Sequence, residues 1–592
     1  MCIRDRGPGV EFLYDNLSTS QKAIMDASDP DNVTSSPDAN GEKRVNWVRG
    51  SHDDEGTLLR PRATLLGAII NGQPLYVGYP SSGYRDYFPP SSDGTTAPET
   101  TAYNTDSKYS YSQYVSDNLS RSPTLYVPAN DGMIHALDVS SPTNGGPERW
   151  AFIPDAVYRN LWFLSKKDKP AYFPTVDSTP ISRDVFFNGT WHTILVGGLR
   201  LGGRGIYALD VTNPVASSGA DAGKKVLWEF NSSASNGANL GYTFGQPNIG
   251  RLSNGRWVVL VPAGYFPYDS TYPGNNAAAA SNTYSSLFVL DAETGAVLAE
   301  YKTPTLVGST KIESWGLASP VMGDYNNDQI DDVAFAGDLA GNLWRFDLTD
   351  LTKKTVDLVY QPATAGDQPI TVMPRLFPDP TSQYFIVVFG TGKFLGDDDR
   401  TTTGAKVQSV YGVRDPGLGN TTGLPWTRAN LVVQQIAQDS TGLRGITQNP
   451  APTTSLKGGW YFDLNIASAP GEKVVVTPFA LFNTNRAIIT TLIPTSADPC
   501  SPGRMGAIMV VDAATGGAGA GVGGTGSFGS TKFSTAGSTV KDPPATGSLA
   551  AATMIGGGQV VIPGVTATGS GNVFSVGSPI WRRRSWRILN DQ

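Results

Sequence analysis

The chain has 592 residues, of which only 16% are charged and 10% aromatic, with 67 glycines, 42 prolines and a formal net charge of −7. No apolar run approaches the ~20 residues a membrane-spanning helix needs, and an acidic balance spread along the chain argues against a nucleic-acid footprint. Abundant turn formers with few charges suit a large all-β protein of short strands joined by turns.

The opening Met1-Cys-Ile-Arg-Asp-Arg6 reads as a translated sequencing adapter. Residues 1–6 are therefore set aside as an artefact, and the natural chain is expected to begin upstream, with its export signal. With Cys2 discounted, Cys500 has no partner for an internal disulfide. Residues 7–60 form an N-terminal extension, the remnant of a missing upstream region. It is polar and helix-permissive around Leu17-Ser-Thr-Ser-Gln-Lys-Ala-Ile-Met25 and ends in Arg44-Val-Asn-Trp-Val-Arg-Gly50.

From residue 61 to 592 one short strand pattern recurs and closes on Asp. Its copies are Ile134-His-Ala-Leu-Asp138, Ile206-Tyr-Ala-Leu-Asp210, Leu287-Phe-Val-Leu-Asp291 and Leu343-Trp-Arg-Phe-Asp347. Looser copies are Val410-Tyr-Gly-Val-Arg-Asp415 and Ile508-Met-Val-Val-Asp512. A second apolar strand precedes most of them: 124–127, 194–197, 258–261, 333–336 and 385–388. A unit of strand, turn, strand, acidic stop and turn is how a propeller blade looks in sequence. With Pro74-Leu-Tyr-Val-Gly78 at the start and a C-terminal strand, the pattern predicts an all-β, about seven-bladed β-propeller. Irregular insertions between blades include Tyr268–Tyr284 and Gly516–Ser530. The recurring Asp is expected to cap a turn in each blade, a structural role.

Between two apparent strands, residues 324–332 read Asp-Tyr-Asn-Asn-Asp-Gln-Ile-Asp-Asp. Asp324, Asn326, Asp328 and Asp332 put side-chain oxygens at loop positions 1, 3, 5 and 9, and Ile330 at position 7 can offer only its carbonyl. That spacing wraps oxygen ligands around one Ca²⁺, and oxygen-only ligands disfavour zinc and copper. Position 12 is Phe335, so this is not a helix-flanked EF-hand, and position 6 is Gln329 where a Gly would turn without strain. The competing reading is an acidic, solvated turn, since Asp and Asn favour turns for their own reasons.

The terminal strand Ile580–Ile588 carries Arg582-Arg-Arg584, where charge protects a sheet edge. Of catalytic chemistry little is present. Only His52, His135 and His192 could serve a triad, and His135 and His192 lie inside apparent strands. There is no Cys/His cluster for zinc and no phosphate-cradling loop. Asp53-Asp-Glu55 and Asp397-Asp-Asp399 lack alternate-position spacing and read as solvated turns.

Many segments in one order resemble the C-terminal propeller of the PilY family of type IV pilus biogenesis factors and tip adhesins, from about residue 44 to 589. They include Val45-Asn-Trp-Val-Arg-Gly, Arg62-Ala-Thr-Leu-Leu-Gly-Ala-Ile, Ala129-Asn-Asp-Gly-Met-Ile-His-Ala, Gly197-Gly-Leu-Arg-Leu-Gly-Gly-Arg-Gly and Ala336-Gly-Asp-Leu-Ala-Gly-Asn-Leu-Trp. The resemblance implies a non-enzymatic propeller that binds Ca²⁺ through Asp324, Asn326, Asp328, Ile330 and Asp332. It implies that occupancy biases pilus extension against retraction, with roles in surface adhesion and twitching motility. Minor pilins or a tip complex, and a host or abiotic surface, are the implied partners. The implied location is the fimbrium or cell surface, reached through the periplasm. Arg49-Gly-Ser51 stands where an Arg-Gly-Asp tripeptide would support integrin-type adhesion, and Leu66-Gly-Ala68 replaces the family's Leu-Gly-Asp. The family's N-terminal half, often with a von Willebrand-type domain, is missing. A periplasmic quinone-dependent propeller enzyme and an FG-GAP-type binding propeller unrelated to pili are the alternatives. The vicinal Cys pair of many such dehydrogenases is absent.

Overall fold

The computed structural model describes residues 1–592 except 4–8, 33–35, 142, 144–145, 169–172, 267–283, 401, 451–456, 482–483, 495–504, 520–527, 529–531, 542–552, 556–558, 563–571 and 576–592. It divides into two compact units, Met1–Ala336 with Arg345–Asp357 and Gly337–Trp344 with Leu358–Gln592. Cys500, the Ile580–Ile588 strand and most of the two expected insertions lie outside the described residues.

The first unit holds three four-stranded antiparallel meanders. Blade one uses 75–77, 124–128, 134–138 and 148–153; blade two uses 181–187, 190–198, 205–210 and 226–231; blade three uses 248–251, 257–262, 286–291 and 297–302. The chain passes between units in the fourth meander, 321–323, 333–337, 343–347 and 356–360. In the second unit, blade five uses 375–378, 385–390, 409–414 and 459–463, and blade six 479–481, 486–490, 505–512 and 533–541. A three-stranded sheet of 553–555, 559–562 and 572–575 follows. Of the two segments expected to complete a seventh blade, Pro74–Gly78 supplies the first strand of blade one instead, and the C-terminal strand lies outside the described residues. Each of the six Asp-ended strands is the third strand of its own sheet, so they share no continuous sheet. This is a propeller fold.

The sequence explains why the strands sit this way. Trp257–Pro262 is buried at every position, as expected for an inner strand covered on both faces. The third strands bury their apolar run and bring Asp to the rim, as in Ser286–Asp291. There each Asp accepts the backbone N–H two residues on. Asp138 takes it from Ser140 (2.8 Å), Asp210 from Thr212 (2.9 Å), Asp291 from Glu293 (3.2 Å) and Asp347 from Thr349 (2.9 Å). Asp415 takes it from Gly417 (3.1 Å) and Asp512 from Ala514 (3.0 Å). These are Asx turns, and the expected capping role holds in all six.

An aromatic from the last strand of the preceding blade leans on four of these turns. Trp150 Nε1 donates to the Pro214 carbonyl (2.8 Å), Trp228 to Ala292 (2.9 Å) and Trp460 to Ala513 (2.8 Å), while the Tyr301 hydroxyl donates to Asp347 (2.6 Å). The Thr-Gly ending of two turns follows from that contact. Gly295 and Gly516 have φ of +71° and +73°, and a Cβ at either would lie 2.6 or 2.3 Å from the docked indole.

Residues 7–60 carry the expected helical character as helices Thr19–Asp26 and Gly41–Val48. Ser18 caps the first with a reciprocal Gln21 bond. Phe12, Met25, Val45 and Trp47 pack into the same core as Tyr126 and Phe152 of blade one. The leader set aside above is not free of structure, since Cys2–Ile3 pairs in parallel with Phe152–Ile153. Four α-helices among the described residues of 61–592 were not anticipated: Pro98–Thr105, Tyr111–Asp117, Tyr158–Ser165 and the short Gly219–Gly223.

Candidate functional site: the acidic loop 324–332

The loop joins the first two strands of the fourth meander, Val321–Gly323 and Val333–Gly337, as expected. It is a compact turn wound around Asp324. Asp324 Oδ1 accepts the backbone N–H groups of Asn326 (3.1 Å), Asn327 (2.6 Å) and Asp328 (3.2 Å), and Oδ2 that of Gln329 (2.7 Å). Asp328 Oδ1 accepts from Ile330 N (2.8 Å), and its Oδ2 from the Asn326 amide (3.0 Å). Asp332 closes the loop, accepting from Tyr325 N (2.9 Å). Ile330 buries its side chain, so its backbone is the only oxygen source at position 7.

Two residues turn the chain with positive φ, Asn327 at +60° and Gln329 at +68°. Asn tolerates this conformation; a Gln held there costs about 1–2 kcal/mol. The Gln329 side chain is engaged at both ends. Its Nε2 donates to the Gly83 carbonyl (3.1 Å) and its Oε1 accepts from Arg85 N (2.8 Å). Arg85 in turn donates to the Asn327 carbonyl (3.0 Å).

Asp331 faces away from the other loop carboxylates. Its Oδ2 accepts from Arg251 N (3.1 Å), and its own N–H donates to the Arg251 carbonyl (2.7 Å). The absence of a side chain at Gly250 makes room, because a Cβ there would come within 2.3 Å of that carboxylate. The Arg251 guanidinium is fully buried and pairs with buried Glu99 at 2.8 and 3.0 Å, while Trp257 Nε1 donates to Glu99 at 2.7 Å. None of Glu99, Arg251 or the Gln329 tie was visible in the sequence, because their partners are far apart along the chain.

The loop is electrostatically unhappy with its negative charge. Burial, with Asp324 and Asp328 nearby, pushes the Asp332 carboxyl up to about 6. Burial also raises Asp331 to about 6, against the pull of Arg183, and Asp324 moves in the same direction with Asp328 as its charged neighbour.

The donor set fits a hard cation. It is all oxygen, and the amide bonds leave each carboxylate with further lone pairs. Among the described residues, however, no three His, Cys, Asp or Glu side chains converge as a ready-made metal cluster. The loop carboxylates are instead spent on the turn's own N–H groups.

The histidines are held by carboxylates. His135 lies between Glu148 (Nδ1, 2.5 Å) and Asp131 (Nε2, 3.1 Å), and His192 bonds Asp210 (2.8 Å) while stacking on Phe187. Burial alone would lower the His135 pKa, but its two acidic partners raise it to about 9, so the folded protein favours its charged form. Glu55 of the Asp53-Asp-Glu55 run is bound by Arg62 and His52.

The description of the family model that matches residues 94–445 is "PilY1 beta-propeller domain". This chain belongs to the PilY1 β-propeller family. It is 32% identical over 553 residues to the type IV pilus biogenesis factor PilY1 of Pseudomonas aeruginosa strain PAK, which covers 86% of this chain and 43% of that protein. A PilY1 homolog of Xylella fastidiosa is 28% identical over 500 residues, 80% of this chain and 31% of its own length. The chain thus spans less than half of these relatives. The crystal structure of the P. aeruginosa PilY1 C-terminal domain superposes with a TM-score of 0.61 at 27% identity, covering 85% of this chain and 99% of that one. Among the described residues no helix is long and apolar enough to cross a membrane.

Proposed function

We propose that this PilY1-type propeller is a non-enzymatic, Ca²⁺-responsive part of the type IV pilus machinery, acting at the pilus or cell surface. The relatives' names support the pilus role. The observation that carries the calcium reading is a crowded oxygen-donor loop with raised carboxylate pKa values. Asp324, Asn326, Asp328, the Ile330 carbonyl and Asp332 would hold the ion, which would neutralise the loop and tie its two strands together. Occupancy biases pilus extension against retraction, through contacts with minor pilins or a tip complex, and thereby sets adhesion and twitching.

The test is complementation of a strain lacking the full-length gene. Wild type should restore twitching that depends on external calcium, and Asp332→Ala should leave it calcium-blind with normal protein levels. Restoration by Asp332→Ala with unchanged calcium dependence would contradict the reading.

A further inference from the structure

We propose that Gln329 is a positioning residue that fastens the acidic loop to residues 83–85, so that the state of the loop is passed to the aromatic cluster around Tyr84. The inference rests on the calcium reading for the loop's ligand, but the tie itself requires no metal. Gly at loop position 6 would turn without strain and could make neither side-chain bond. Gln329 takes the strained φ and spends both ends of its amide on one short segment, at Gly83 and Arg85.

Tyr84, between those two contacts, is set among rings. It stacks on Trp191 at 5.6 Å and meets Trp257 edge-on at 4.9 Å and Tyr111 at 5.4 Å. The flanks of the segment are pinned elsewhere: Ser82 N–H on Asp184, Asp86 on Ser112, and Phe88 on Thr100. Movement of the loop therefore reaches Tyr84 through Gln329 and Arg85. A second route leads to the same cluster. Asp331 holds the Arg251 backbone, and Arg251 and Trp257 share Glu99. The loop thus reaches the Tyr84–Trp257 pair from two sides.

Amide hydrogen exchange at 83–88, read with tryptophan fluorescence and calcium calorimetry on the whole chain, tests this. In wild type, calcium should slow exchange of the Arg85 amide and shift the tryptophan signal. Gln329→Gly should keep calcium binding, speed Arg85 exchange about five- to tenfold, the size of one lost hydrogen bond, and uncouple it from calcium. Gln329→Glu, which keeps the acceptor for Arg85, should restore part of the protection. Calcium binding in wild type with no response at Arg85, or a full response in Gln329→Gly, would overturn the tie. Flat calorimetry would remove the calcium reading alone. The tie is then judged from Asp324→Ala, which unties the turn without metal: faster Arg85 exchange supports it, and unchanged exchange overturns it.

Discussion

Asp138 and Asp332 are the same residue type, each accepting a backbone N–H in a turn beside a propeller strand, yet their carboxyls are displaced in opposite directions. The Asp138 pKa falls to about 2 because Ser140 and Arg149 supply hydrogen bonds to its charged form, and Asp210 is lowered too, against its burial, by His192 and Thr212. Asp332 rises to about 6 by burial, with Asp324 and Asp328 adding repulsion. The cap carboxylates are satisfied by the protein itself. The loop carboxylates also accept the turn's N–H groups, yet burial and mutual repulsion displace Asp324 and Asp332 upward, and that contrast separates the two kinds of turn.

If the cap turns are structural, the contacts that lean on them should carry the larger energies. Trp228→Ala empties the seat against Gly295 and removes a buried hydrogen bond, and should cost about 3–5 kcal/mol in urea unfolding monitored by circular dichroism. A loss below 1 kcal/mol would show that the docked indole is not what holds the turn.

His135 shows how the fold satisfies acids with its own cation. Its folded pKa of about 9 lies above the ordinary 6.5, so its contribution is complete below pH 6.5 and is lost as the pH rises through 9. The difference corresponds to about 3 kcal/mol. His135→Gln should flatten the stability curve between those pH values, and an unchanged slope would remove the imidazolium from the account.

Asp291→Ala removes the acceptor from a solvent-facing turn and should cost only about 1 kcal/mol. It should leave calcium affinity untouched, since its carboxylate belongs to the satisfied class. A change in affinity would erase the distinction between the two kinds of turn.

The repeating strands and their caps were legible because their signals are local: an apolar run, an Asp, and an N–H two residues on. The loop was legible through its alternate-position oxygens, and the turn strain was visible at Gln329 as the missing glycine. What that glutamine does was not, because its partners Gly83 and Arg85 lie 246 and 244 residues away. Glu99 and Arg251, 152 residues apart, were hidden for the same reason. The helix Pro98–Thr105 that carries Glu99 is short and weakly amphipathic, so nothing in its pattern marked it against a loop.

Calorimetric titration of the intact chain with Ca²⁺ tests the central distinction most directly. The account predicts one site in wild type, lost in Asp332→Ala, weakened only modestly in Asp331→Ala, and intact in Asp138→Ala, with a poor response to Mg²⁺ because its tight octahedron resists dehydration. At a hundredfold excess over the dissociation constant, binding should add about 2.7 kcal/mol of stability. A flat wild-type titration, or equal loss of binding in Asp138→Ala and Asp332→Ala, would contradict it.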